Sequence, residues 1–150
     1  MKPIVVTTVL SQPREEVYEF LDVLGNHEPF TDHMLVDWTL DGPATGVGAK
    51  ARMRAKAPGP KQWIDMEVVA ATPGQTITEE AVSAGGKRKT RGTYTLSDRT
   101  DGGTDVRFQL EYLAMPAGEK LMMPLLRAWL QRANQKAMDR LQVRLGNPAP

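Results

Sequence analysis

A carboxylate in QTITEEAV, residues 75–82, is the first place where this sequence puts chemistry on a patterned element. Side chains alternate between the two faces of a strand. An inward set that contains Ile77 also carries Glu79 and Ala81, and leaves Thr76, Thr78 and Glu80 outside, with Glu80 in reach of Lys89 or Arg91. A carboxyl group on an apolar wall is disfavoured as an anion, so its pKa should rise unless a cation or donors meet it. Such a group could hold a ligand hydroxyl or act as a general acid or base. The alternative is a bulge or a wet rim position that returns Glu79 to solvent, since charged side chains are seldom fully buried.

Three other clusters carry reactive or recognition-type side chains. His27, Glu28, Asp32 and His33 crowd GNHEPFTDH, residues 25–33, but the chain has only 2 histidines. Their spacing is not that of a zinc site. Turn and capping roles are expected there, and no metal. His33 remains a candidate acid or base, because an imidazole titrates near neutrality. Lys50, Arg52, Arg54, Lys56 and Lys61, with Trp63 and the KRKTR run at 87–91, form a basic surface bearing an aromatic. Nucleic-acid or anionic-surface binding is therefore a distinct alternative function. Asp65, Glu67 and Glu80 stand where strand pairing would neutralise those cations, which favours a solvated sheet face. The 8 methionines suit an adaptable apolar cavity, although Met is more often plain core. No nucleophile–base pair, phosphate loop or dinucleotide fingerprint is present, so no cofactor is expected.

The elements that must position these groups follow from periodicity. IVVTTVL at 4–10 is β-branched and reads as a strand. SQPREEVYEFL reads as a helix start, with Ser11 as candidate N-cap, Pro13 in the first turn, acids after it, and Val17, Phe20 and Leu21 as the apolar side. The turn-rich 25–33 segment has room for a second short helix. Six strand-like runs follow, punctuated by Pro/Gly turns every ten to twelve residues or so, which suggests an antiparallel meander. A hairpin at APGP that pairs Lys56 with Lys61 sets Arg54 against Trp63, Arg52 against Asp65 and Lys50 against Glu67. It also puts Ala51, Met53, Ala55, Ile64, Met66 and Val68 on the covered face, with Gly92, Tyr94 and Leu96, then Val106, Phe108, Leu110 and Tyr112, facing the same way. Residues 118–145 read as one long helix with Met122, Leu126, Leu130, Ala133, Ala137, Leu141 and Leu145 on one stripe. Gln131, Gln135, Asp139 and Gln142 fall opposite, and Pro124 is either a first-turn residue or a kink.

One covered face and one long helix must enclose something. Ala51, Ala55, Ala81 and Gly92 are too small to fill the space between a curled sheet and a helix. Either a void remains there, or a bulky neighbour such as Trp129 or Phe30 fills it. The 150 residues fit one domain, 1–150, and a chain of this length buries roughly 70% of its unfolded surface without staples. No cysteine is present, so disulfides and thiolate metal sites are excluded. No signal peptide or membrane span is visible, and a cytoplasmic location is expected. The 19 basic and 18 acidic side chains leave a net charge of +1, which exerts no global pull on nucleic acid.

The order strand, two short helices, six strands, long helix resembles the START-like helix-grip superfamily, also called Bet v 1-like or SRPBCC. It looks most similar to the polyketide cyclase/dehydrase and lipid-transport branch. The stretches that carry the resemblance are VLSQPREEVYEFL, GPATGVGAKARM, RGTYTLS with GGTDVRFQLEY, and the terminal helix, over residues 4–145. Phe30 stands where family members often carry tryptophan. The resemblance implies an α+β fold: a seven-stranded antiparallel sheet curled around the C-terminal helix, with the two short helices between strands one and two. It also implies a pocket between sheet and helix for a small hydrophobic or amphipathic, lipid- or polyketide-like molecule. The expected lining is Phe30, Trp38, Met53, Met66, Glu79, Tyr94, Phe108, Leu110, Met122, Leu126 and Trp129. Glu79 and His33 are the catalytic candidates if the chain is instead a cyclase or dehydratase. The expected partner is that small molecule, with no nucleic acid and no stable membrane insertion.

Overall fold

The computed structural model describes residues 2–57 and 62–146. β1 (Ile4–Leu10) leads into α1 (Arg14–Asp22), a tight helical turn (Leu24–His27) and α2 (Glu28–Thr31). Six strands follow: β2 (Leu35–Asp41), β3 (Lys50–Ala55), β4 (Trp63–Thr72), β5 (Thr76–Ser83), β6 (Arg88–Asp98) and β7 (Thr104–Ala114). α3 (Glu119–Gly146) ends the described chain. The strands form one antiparallel sheet in the order β1-β7-β6-β5-β4-β3-β2, so only the β1–β7 contact joins strands distant in sequence. This is the α+β helix-grip architecture expected from the element order. No helix among the described residues is long and apolar enough to cross a membrane.

The β3–β4 register follows the charge pattern. Lys50 pairs with Glu67, Arg52 with Asp65 and Arg54 with Trp63. Lys50 and Glu67 meet at 3.5 Å and Arg52 and Asp65 at 3.7 Å, while Arg52 and Arg54 stand 4.9 and 5.0 Å from the centroid of the Trp63 ring. Exposed pairs of this kind add about 0–1 kcal/mol each, so they select register more than they stabilise. Arg54 also pairs with Asp37, and Arg91 with Glu80 at 3.1 Å. Lys50, Arg52, Arg54 and Arg91 of the outer face thus each meet an acidic partner. The expected Lys56–Lys61 pairing and the turn at 58–61 lie outside the described residues, as does the end of the chain at 147–150.

Three local expectations are corrected. Ser11 is not the N-cap of α1: extended Pro13 takes that position, and the Ser11 hydroxyl donates instead to the Gly146 carbonyl at 2.9 Å. On α3, Met123 is buried and Met122 is 55% exposed. Repeated steps of four residues drift around a helix of 3.6 residues per turn, so Met122 lies about 80° from the direction of Leu130, whereas Met123 lies about 20° from it. The glutamines of α3 do not merely face solvent. Gln131, Gln135 and Gln142 donate to the carbonyls of Val5, Thr7 and Val9 at 3.2, 3.1 and 3.0 Å. Their amides cover acceptors along the outer edge of β1, the kind of open edge on which another strand can add.

Candidate functional site

A cavity of about 370 Å³ lies between the sheet and α3. Its walls come from the inward positions of β3 to β7, where alternation puts Ala55, Ile64, Met66, Ala81, Phe108 and Leu110 on one surface. Leu126, Trp129 and Leu130 of α3 form the opposite wall. Trp38 and Leu35 join it through a bulge in β2. They are three residues apart, which strict alternation would put on opposite faces. Asp37, at φ 58°, breaks the register between Val36 and Thr39, and both side chains then reach the cavity.

The four small residues behave differently. Ala55 and Ala81 line the cavity directly, whereas Ala51 is sealed in the core. Gly92 lines it too, but a Cβ there would stand only 2.8 Å from the Phe108 ring and 3.3 Å from Glu79 Oε1. The glycine makes room for those two side chains rather than leaving a void of its own.

Glu79 pairs with Val68 on β4 and Gly92 on β6, and is 6% exposed. Its Oε2 has no hydrogen-bond partner among the described residues. Burial pushes its pKa up to about 7, so the carboxyl is substantially protonated near neutrality. Burial also raises the Tyr94 phenol well above its ordinary value, and the Glu79 charge adds to that. Tyr94 packs on Phe108 with ring centroids 4.6 Å apart, and meets His27 edge-on at 5.5 Å.

His27, not His33, is the histidine on the cavity wall. Its Nε2 donates to the Leu21 carbonyl at 2.7 Å, and burial lowers its pKa to about 4. It is therefore neutral at pH 7. His33 lies elsewhere: its Nε2 donates to the Ala133 carbonyl and its Nδ1 accepts from Arg140, each at 2.8 Å. With both ring nitrogens engaged, it ties the segment after α2 to α3 and does not reach the cavity. Arg140 reinforces that tie through Asp32 at 2.7 Å and the Pro29 carbonyl at 2.8 Å.

Of the expected lining, Trp38, Met66, Glu79, Tyr94, Phe108, Leu110, Leu126 and Trp129 border the cavity. Phe30 and Met53 do not: both are almost fully buried in the closed core, with the Phe30 ring tilted against His27 at a centroid distance of 5.4 Å. Met122 is excluded by the helix phase described above. Polar wall residues that the sequence reading did not place in the cavity include Gln62, Ser83, Arg88, Glu119 and Asn134. Arg88 was legible by parity, since it is two strand steps of two residues beyond inward-facing Gly92 on the same face. The outward reading of KRKTR hid it.

In sequence, the pattern of the polyketide cyclase / dehydrase and lipid transport family matches residues 2–146. In structure, the chain resembles the protein TTHA0849 from Thermus thermophilus with a TM-score of 0.74, 20% identity and coverage of 95% of this chain and 96% of that one. CV1439 from Chromobacterium violaceum gives a TM-score of 0.70 at 20% identity, over 99% of this chain and 100% of that one. The KanY protein, solved by NMR in solution, gives 0.76 at 14% identity, over 95% and 96%. At these identities the likeness concerns the fold alone. No curated protein matches the sequence. The family pattern runs from β1 to the last turn of α3 and takes in every wall of the cavity, so the chain belongs to the polyketide cyclase/dehydrase and lipid transport branch of the START-like superfamily.

Proposed function

We propose that residues 1–150 act as one ligand-binding domain that takes up a small hydrophobic or amphipathic molecule, lipid- or polyketide-like, in the cavity under α3. The helix-grip fold is generally associated with such ligands. The observation that carries the reading is a mostly apolar cavity of about 370 Å³ with a buried, unpartnered carboxyl oxygen of Glu79 on its wall. The volume falls within the roughly 300–1,000 Å³ usual for small-molecule sites. Apolar walls supply affinity, and Glu79 is one of a few polar wall groups that orient the ligand. Native mass spectrometry of protein purified from its own host should reveal a retained small molecule. Titration with a hydrophobic fluorophore should change the emission of Trp38 and Trp129 in a saturable way. Folded protein that binds no apolar probe would count against the reading.

A second reading, a cyclase or dehydratase, is favoured by one observation: Glu79 and Tyr94 converge on the same cavity wall. A carboxyl group with a pKa of about 7 suits proton transfer at neutral pH. A polyketone chain folded against it would present an acidic α-carbon, Glu79 would take that proton, and Tyr94 would donate a hydrogen bond to the enolate oxygen. Deuterium exchange at the α-carbon of a model β-diketone, lost in Glu79→Gln, would support this role. Exchange at the wild-type rate in the variant would remove it. The basic outer face does not carry a nucleic-acid reading with comparable support, because Lys50, Arg52, Arg54 and Arg91 each have an acidic partner.

A further inference from the structure

The more exposed end of the cavity is bridged by one ion pair. Arg88 stands on β6 opposite Ser83 of β5, and its guanidinium reaches the first residue of α3. Arg88 Nε donates to Glu119 Oε2 at 3.0 Å, and Nη2 meets the other carboxylate oxygen. Nη1 donates to Ser83 Oγ at 2.9 Å and to Gln62 Oε1 at 3.2 Å. All four residues line the cavity. Both charged side chains are only 23% exposed, unlike the open pairs on the outer face. A planar guanidinium engaged on both oxygens of one carboxylate is a two-point recognition geometry.

We propose that Arg88 recognises the carboxylate of an amphipathic acid whose apolar chain enters the cavity, and that Glu119 competes with that acid for the same guanidinium. The inference rests on the cavity reading above and names the class of ligand within it. Three features carry it. Ser83 and Gln62 hold Nη1 independently of Glu119, so the fork stays aimed when the carboxylate partner is exchanged. Glu119 begins its helix after Gly118, around which space is open, so its side chain can leave without unpacking α3. The polarity of the cavity also orients such a molecule. An ionised head stays at the wetter end, where desolvation costs least, and the tail runs inward. At the inner end Glu79 meets a hydroxyl or keto oxygen more readily than a second anion, so a hydroxy or oxo acid satisfies both ends.

The test compares decanoate with decanol at about pH 8, above the carboxylate range, by calorimetry or by the emission of Trp38 and Trp129. The readout is the ratio of acid to alcohol affinity. Glu119→Gln should raise that ratio on the order of tenfold and Arg88→Gln should lower it by a similar factor. If Arg88→Gln does not fold, Arg88→Lys keeps the charge but loses the fork and should lower the ratio in the same direction. An unchanged ratio in the folded variants would overturn the assignment of Arg88 and leave the cavity reading standing. Decyl phosphate binding more tightly than decanoate would overturn the choice of a carboxylate. Binding of neither decanoate nor decanol would overturn both this inference and the cavity reading.

Discussion

Glu79 and His27 border one cavity, and burial shifts them in opposite directions. For Glu79 the folded pKa of about 7 lies above its ordinary 4.5. The unfolded chain gains from ionising this group first, so its contribution is most favourable below pH 4.5 and is lost as pH rises toward 7. For His27 the folded value of about 4 lies below the ordinary 6.5, so its contribution is full above pH 6.5 and is lost as pH falls toward 4. Across the overlap the two slopes offset. Glu79→Gln removes one of them. Above neutrality the variant should be more stable than wild type by on the order of 3 kcal/mol, and the gain should vanish in acid. The variant alone should then lose stability steadily on acidification, as the His27 slope is exposed. Denaturant unfolding across this pH range checks both statements, and parallel profiles for the two proteins would contradict them.

At the scale of elements, α3 carries two different loads. Its apolar side closes the core through Leu130, Ala133, Ala137, Met138 and Leu141. Leu141→Ala should cost about 2–5 kcal/mol, whereas Met122→Ala at its exposed position should stay within about 0.5 kcal/mol. Equal costs would show that the helix phase is wrong. Its glutamine side covers the β1 edge. Replacing Gln131, Gln135 and Gln142 together by Ala should cost roughly 1–3 kcal/mol, given about 0.5–1.5 kcal/mol net per hydrogen bond and their exposure. It should also increase self-association, because edge carbonyls become available to another strand. Equilibrium unfolding and sedimentation at several concentrations read the two effects separately. In the same element Pro124 donates no backbone N–H, yet it lies within the helix, at its sixth residue.

For the whole molecule, the cavity is the balance between a curved sheet that needs filling and inward residues too small to fill it. Ala81→Phe puts a ring into that space from the centre of the sheet. Fluorophore binding should fall by about tenfold or more, while stability changes by less than about 2 kcal/mol, because the added ring occupies existing room instead of displacing packed neighbours. The same substitution at Ala51, which packs in the closed core, should instead destabilise by about 1–3 kcal/mol and leave the cavity open. A paired measurement of binding and unfolding in the two variants distinguishes a cavity from ordinary core. Similar behaviour of the two would mean that the space under α3 does not receive ligands.

Properties that depend on near neighbours could be read from the residues themselves. The period of two placed Glu79 inward with Ile77, and the charge sequence of β3 and β4 set their register, because both are decided within one strand or between two adjacent ones. What tertiary structure decided was which inward residues meet a cavity and which meet other side chains. Met53 and Met66 share a face, yet only Met66 reaches the cavity, since sheet curvature and helix placement are set by the whole assembly. A φ of 58° at Asp37 brought Leu35 and Trp38 to one side against the alternation of their strand. Helix drift exchanged Met122 for Met123. Folding also chose His27 over His33, and brought Arg88 to Glu119 across 31 residues of chain. Contacts of that separation leave no periodic trace, because the closure that creates them depends on every element between.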